Sequence, residues 1–223
     1  MNLKANIFKD TTRQINSASI ELLLVNLSIT DFKYMQELLA SYIKSKISLT
    51  DKDLEIILSH FKPIKLKKNE LVLTNGQSSQ RTFFVTQGCL RIFFINEEGT
   101  DSTRYFAFEN QFATALVSFI TSEPSEEFIQ AVEDSEVYYI THKSFYHLLD
   151  IIPLWEKFYR IYLEIAYVTN TKRLMSFLMQ DALEKYRQLL DENPIIVRRL
   201  SNKLVASYLN ISQETLSRLK SKI

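Results

Sequence analysis

The sequence predicts an α+β protein: an antiparallel sandwich or barrel, then a long helix, then a pair of short C-terminal helices. Three observations carry this. Residues from Phe61 to Phe108 alternate in polarity and are punctuated by turn pairs at Lys68-Asn69, Asn75-Gly76, Gln87-Gly88 and Glu98-Gly99. After Pro153 apolar residues recur at fours and threes with no helix breaker. Between Ser201 and Lys220 two capped helical patterns stand three residues apart.

The 223 residues, 46% apolar and 24% charged, suit one large or two small globular domains. Glycine is scarce: Gly76, Gly88 and Gly99 are the only three, all within the alternating region. A phosphate-cradling glycine cluster is therefore absent. The single cysteine, Cys89, excludes an internal disulfide framework, a zinc ribbon and a one-chain iron–sulfur cluster. The stretch Ile20 to Ile29 is interrupted by Glu21, Asn26 and Ser28, so it does not read as a membrane span. No membrane partner is expected. With no N-terminal signal pattern, a cytoplasmic location is the expectation.

Taken in order, residues 1–45 read as an N-terminal helical extension whose first part is polar. Thr50 then caps a short helix, with Asp51 and Asp53 in its first turn. Residues 46–152 hold the barrel, including strands at Phe128–Val132 and Glu136–Ile140. Residues 153–180 form one helix whose stripe Leu154, Phe158, Ile161, Ile165, Val168, Met175 and Met179 is broken only by Lys172. That stripe reads as the seam of a homodimer. Residues 181–223 begin with a helix from Asp181 to Leu190, ended by Asn193-Pro194.

Charge separates the two ends. Residues 195–223 carry six bases against the single acid Glu214, whereas residues 85–150 carry eleven acids and three bases. A basic terminus on an acidic body is a footprint for a polyanion. Within it, Ser201 can cap one helix and Ser212 a second, with Asn210 where a left-handed residue is needed. Val205, Leu209, Ile211, Leu216 and Leu219 fall where two steeply crossed helices touch, and Ala206 is small enough for close approach. This is a helix-turn-helix pattern, whose second helix would enter the major groove.

The outward face of that helix offers Ser212, Gln213, Glu214, Ser217 and Arg218. Arg218 suits guanine, Glu214 suits cytosine, and Gln213 suits adenine or a phosphate. Lys203, Lys220 and Lys222 suit phosphates, which position without reading sequence. A two-fold dimer would then favour a palindromic double-stranded site.

The order of glycine-turned strands, long helix and the run SNKLVASYLNISQETLSRLK resembles the Crp/Fnr superfamily of bacterial transcription regulators over roughly residues 40–223. The resemblance implies a jelly-roll barrel of the cyclic-nucleotide-binding type, a dimerisation helix and a winged helix-turn-helix. The wing strands are not found before Ile223, so a truncated winged domain is expected. It also implies RNA polymerase as a partner, base contacts for Glu214 and Arg218, and a phosphate contact for Thr215.

The departures are specific. Where cAMP-binding members carry an FGE segment and an Arg-Ser or Arg-Thr pair, this chain has Phe112-Ala113-Thr114 and Ser125-Glu126-Glu127. The ribose carboxylate and the phosphate arginine are missing, and two unpaired acids would repel the phosphate. No cofactor is therefore expected, cAMP is disfavoured, and the effector is unassigned. His60, His142 and His147 lie outside the alternating stretch 70–110, so a cupin-like metal enzyme is not expected. Cys89 has no nearby histidine and reads as buried filler rather than a nucleophile. The alternative reading is a ligand-blind dimeric interaction module on the same barrel.

Overall fold

A computed structural model of the chain describes residues 35–222. Met1–Glu37 is a unit separate from Leu38–Ile223, and only its helical residues 35–37 are described. Most of the expected extension at 1–45 lies outside the described residues. Residues 38–46 are helical, here α1, and they are not a free-standing appendage. Leu39 and Ile43 are fully buried, and the Tyr42 ring lies 5.3 Å from Phe84 and 5.6 Å from Phe112.

Helix α2 (Asp51–Ser59) begins as expected: the Thr50 hydroxyl accepts from the Asp53 amide at 3.1 Å. Eight strands follow: β1 (Lys62–Leu66), β2 (Leu71–Leu73), β3 (Arg81–Gln87), β4 (Leu90–Ile95), β5 (Asp101–Ala107), β6 (Gln111–Ala113), β7 (Phe128–Ala131) and β8 (Ser135–Thr141). They form two antiparallel four-stranded sheets, ordered β1-β8-β3-β6 and β2-β7-β4-β5. The two inner faces bury one cluster that includes Leu66, Leu73, Val85, Leu90, Ile129 and Val137. This is the jelly-roll barrel the sequence predicted.

The turns obey their residues. Asn69, Gly76, Gly88 and Gly99 all take positive φ. At Gly88 a β-carbon would also collide with Ser135, whose Cα would stand 2.8 Å away. A side chain there is blocked by both backbone and neighbour.

Two helices of the barrel region are absent from the sequence reading. Helix α3 (Leu116–Thr121) sits between β6 and β7, and α4 (His142–Ile151) grows directly out of β8. In α4 the switch is made by Thr141, which ends the strand and accepts from the Ser144 amide at 3.2 Å. Strand and helix share an apolar run there, which hides the boundary from periodicity.

Helix α5 (Pro153–Met179) is the predicted long helix, with Pro153 in its first turn. The expected stripe divides into two environments. Phe158 is not part of an outward seam: it is buried within its own chain, stacked 4.4 Å from Trp155 and 6.1 Å from Phe112. Ile161 is half-buried, while Leu154, Ile165, Val168, Met175 and Met179 are exposed. Tyr167, Leu174 and Leu178 are exposed beside them. The helix is apolar on two faces, and spacing alone does not tell which face meets the barrel.

The chain ends in α6 (Ala182–Glu192), α7 (Pro194–Arg199), α8 (Asn202–Leu209) and α9 (Gln213–Lys220). Asp181 and Glu184 form a complete capping box on α6. Pro194 starts the short α7, which the sequence reading did not anticipate. No described helix is long and apolar enough to cross a membrane.

Candidate nucleic-acid interface

The helix-turn-helix assembles from short-range chemistry. The Ser201 hydroxyl accepts from the Leu204 amide at 3.4 Å and opens α8. Asn210 closes α8 in the left-handed region, φ 54° and ψ 49°. The Ile211 amide donates to the Ala206 carbonyl at 3.1 Å, and the Ser212 hydroxyl accepts from the Thr215 amide at 3.1 Å to open α9. Val205, Ala206, Leu209, Leu216 and Leu219 are buried where the two helices cross, and Ile211 is half-buried beside them. The sequence reading located all six.

The outer face of α9 is polar and exposed: Ser212, Gln213, Glu214, Ser217, Arg218 and Lys220. Thr215 is half-buried, and its hydroxyl accepts from Arg218 Nη2 at 3.1 Å. This bond holds the guanidinium beside the helix. Glu214 accepts from its own backbone N–H and from Ser212, and Arg218 adds attraction; together these hold its carboxyl below the usual range. Lys220 Nζ donates to Asn202 Oδ1 at 2.6 Å and so also ties α9 to α8. Lys203 and Lys222 are exposed, and neither makes an ion pair among the described residues.

The sequence did not reveal how this unit is mounted. Its core is continuous with the outer face of the barrel: Cys89, Phe106 and Phe108 join Tyr186, Leu189, Ile196, Leu200 and the crossing residues in one cluster. Polar contacts fasten the same joint. The Thr103 amide donates to Ser207 Oγ at 3.0 Å, Ser207 Oγ donates to the Asp101 carbonyl at 3.1 Å, and Ser102 Oγ donates to Asn210 Oδ1 at 3.1 Å. Arg199 donates to both oxygens of Glu109, at 2.8 and 2.7 Å, and pairs with Glu133 at 2.5 Å. Burial works to raise the Glu109 carboxyl, but the hydrogen bonds from Arg199 and the Gly88 amide outweigh it and hold the group below the usual range.

Within the barrel, the segments 112–114 and 125–127, which the resemblance matches to a cyclic-nucleotide cassette, make contacts within the chain. Phe112 is buried and packs on Phe84 at 5.0 Å and on Tyr162 at 5.7 Å. Thr114 bonds to Thr82 and accepts from the Tyr162 hydroxyl at 2.9 Å. The expectation of two unpaired acids needs correction. Glu126 is exposed, but Glu127 is buried and forms an ion pair with Arg104, which also donates to Asn170 on α5 at 3.1 Å. Arg104 lies on β5, 23 residues before Glu127 in the loop that precedes β7, so sequence proximity did not show the pair.

The remaining candidates do not form a reactive site. No cluster of metal-ligating residues occurs among the described residues. His60 faces His147 with ring centroids 5.8 Å apart, and His142 packs on Tyr146 and Phe119. Cys89 is fully buried, and burial, with Glu133 adding to it, pushes its thiol far up. It is inert filler at the barrel joint.

Residues 63–151 match the cyclic nucleotide-binding domain family. FixK2 from Bradyrhizobium japonicum superposes with a TM-score of 0.63 at 15% identity, over 73% of this chain and 83% of that one. The global regulator CLP from Xanthomonas campestris gives 0.61 at 16% identity, over 78% and 91%. A regulator of the Crp/Fnr family from Eubacterium rectale gives 0.61 at 16% identity, over 77% and 82%. The chain has the Crp/Fnr regulator fold. No curated protein sequence matches it. Within this fold α5 is the long central helix, and α8–α9 are the helix-turn-helix.

Proposed function

We propose that the protein is a homodimeric, sequence-specific DNA-binding transcription regulator. The observation that carries this reading is α9: a helix capped by Ser212, seated on α8 through Leu216 and Leu219, with its polar face open. Gln213, Glu214 and Arg218 on that face read base edges, and Thr215, Ser217, Lys203, Lys220 and Lys222 meet the backbone. The exposed apolar side of α5 supplies the dimer seam, which sets two recognition helices about 34 Å apart on a palindrome. The resemblance to Crp/Fnr regulators extends the proposal to RNA polymerase as a partner.

The barrel does not take cAMP in this reading. The cassette has no free arginine for a cyclic phosphate, and Arg104 is already neutralised by Glu127. Calorimetric titration with cAMP should show no micromolar binding, and a micromolar dissociation constant would reject this part of the reading.

The test of the DNA reading is site selection at fixed salt on wild type, Arg218→Ala and Lys220→Ala, each with unchanged circular dichroism. Arg218→Ala should cost about 1–3 kcal/mol per half-site and relax one base position in each half. Lys220→Ala should weaken all sequences alike and lower the salt slope. Failure of the wild type to bind DNA above a neutral control overturns the proposal.

A further inference from the structure

We propose that Thr215 is a positioning residue that sets base specificity, a role that rests on the regulator reading. Its hydroxyl holds the Arg218 guanidinium away from Glu214, so that both side chains stay open to base edges. Glu214 and Arg218 stand four residues apart on α9. On an exposed helix that spacing brings opposite charges together, and acid before base is the better order. Even the weaker order pairs on α5, where Arg160 Nη1 lies 2.6 Å from Glu164. On α9 the pair is not made: Glu214 and Arg218 form no ion pair among the described residues. The guanidinium turns instead to the residue three positions back, donating through Nη2 to Thr215 Oγ1 at 3.1 Å.

The difference matters for reading DNA. An ion pair between Glu214 and Arg218 would occupy the acceptor for cytosine and the donor for guanine at once. It would have to break before either base was read. A bond to a neutral hydroxyl leaves both charges available. It uses one of the five N–H groups of the guanidinium, and a bidentate contact with guanine needs only two more. Holding a long side chain in place also lessens the ordering cost on binding.

Thr215 is itself well fixed. It is half-buried and β-branched, so its side chain has few rotamers. Its amide donates to Ser212 Oγ at 3.1 Å, and Ser212 Oγ stands 3.2 Å from Thr215 Oγ1. A helical threonine hydroxyl commonly donates to a carbonyl of the preceding turn. Thr121 does so, to the Val117 carbonyl at 3.0 Å. Thr215 makes no such bond among the described residues. Its oxygen accepts from Arg218 while its proton remains for a phosphate oxygen. One hydroxyl can thus tie a backbone contact to the guanidinium that reads the base.

Thr215→Val keeps the branched shape and removes the hydroxyl, whereas Thr215→Ser keeps the hydroxyl. Site selection and binding at fixed salt compare both with wild type, with Arg218→Ala, and with Arg218→Ala combined with Thr215→Val. Circular dichroism must be unchanged in each. Thr215→Val should lower discrimination at the guanine and cytosine positions together, by about two- to fivefold per half-site. Thr215→Ser should restore it. In the Arg218→Ala background, Thr215→Val should change discrimination no further, because no guanidinium is left to hold. A threonine that met only a phosphate would weaken all sequences alike in both backgrounds. With the wild type binding its site, three results overturn the inference alone. They are unchanged discrimination in Thr215→Val, a uniform loss across sequences, and a loss that Thr215→Ser does not relieve. Failure of the wild type to bind DNA overturns the regulator reading and this role with it.

Discussion

At the scale of single residues, Gly88 is the most constrained position in the barrel. Its φ of +96° lies in the region that costs other residues strain, and its missing side chain leaves room for Ser135. Ser135 Oγ meanwhile accepts from the Cys89 amide at 3.2 Å, so Ser135 cannot withdraw without breaking a buried bond. Gly88→Ala should therefore destabilise the protein by about 2–4 kcal/mol. Urea denaturation would measure it, and a loss below about 1 kcal/mol would show that the β3–β4 turn can rearrange. Gly76 and Gly99 have nothing within reach of a β-carbon, so substitution there should meet only the cost of positive φ. The turn residues and helix caps were legible because each acts on a backbone group within a few positions. Thr50, Ser201, Asn210 and Ser212 all do so. The Arg104–Glu127 pair was not legible, because opposite charges on a strand and a distant loop leave no mark in local pattern.

At the scale of elements, α5 shows how far periodicity reaches. The apolar spacing gave a helix from Pro153, and the structure ends it at Met179, close to the expected 180. Spacing did not separate the face that packs inward, through Trp155 and Phe158, from the face left open. The open face carries Ile165, Val168 and Met175, each about half exposed, with Tyr167, Leu174 and Leu178 more so. An apolar strip of this length on one helix is the mark of an association surface. Replacing Val168 and Met175 with Glu should place charge in the seam and convert dimer to monomer. Light scattering should then report half the wild-type mass, with circular dichroism unchanged. An undiminished mass would move the dimer contact off α5. Phe158→Glu, by contrast, should unfold the barrel end of the helix, since Phe158 lies in the chain's own core.

At the scale of the whole molecule, the helix-turn-helix is built into the barrel rather than tethered to it. The sequence marked residues 181–223 as a unit, but the cluster around Phe106, Leu189, Ile196 and Leu209 belongs to both parts. Its polar clasp joins residues 90 positions apart, Arg199 to Glu109, beyond the range of any local signal. The clasp makes the joint sensitive to acid. Glu109 and Asp101 both face this joint, and both are held below the usual carboxylate range. For each, burial works to raise the group and hydrogen bonds outweigh it: those from Arg199 and Gly88 on Glu109, and those from Arg91 and Ser207 on Asp101. A carboxylate whose folded pKa is depressed contributes its full stability above the unfolded value of about 4. That contribution is lost as pH falls through the lower, folded value. Stability should therefore fall as pH drops below about 5 and through the depressed folded values, and the loss should loosen the joint between barrel and α8. Glu109→Gln keeps the shape of the side chain and removes its charge, so it should lower stability at pH 7 and flatten the acid profile. Arg199→Ala should cost about 1–2 kcal/mol at pH 7 and flatten the same profile, because it removes the partner of both Glu109 and Glu133. The measurement is urea denaturation across this pH range, followed at once by Trp155 fluorescence and by amide exchange in α8. If the acid slope survives in Glu109→Gln unchanged, the clasp is not the acid-sensitive element. If α8 exchanges freely while Trp155 remains native at pH 7, barrel and helix-turn-helix do not share one cooperative core.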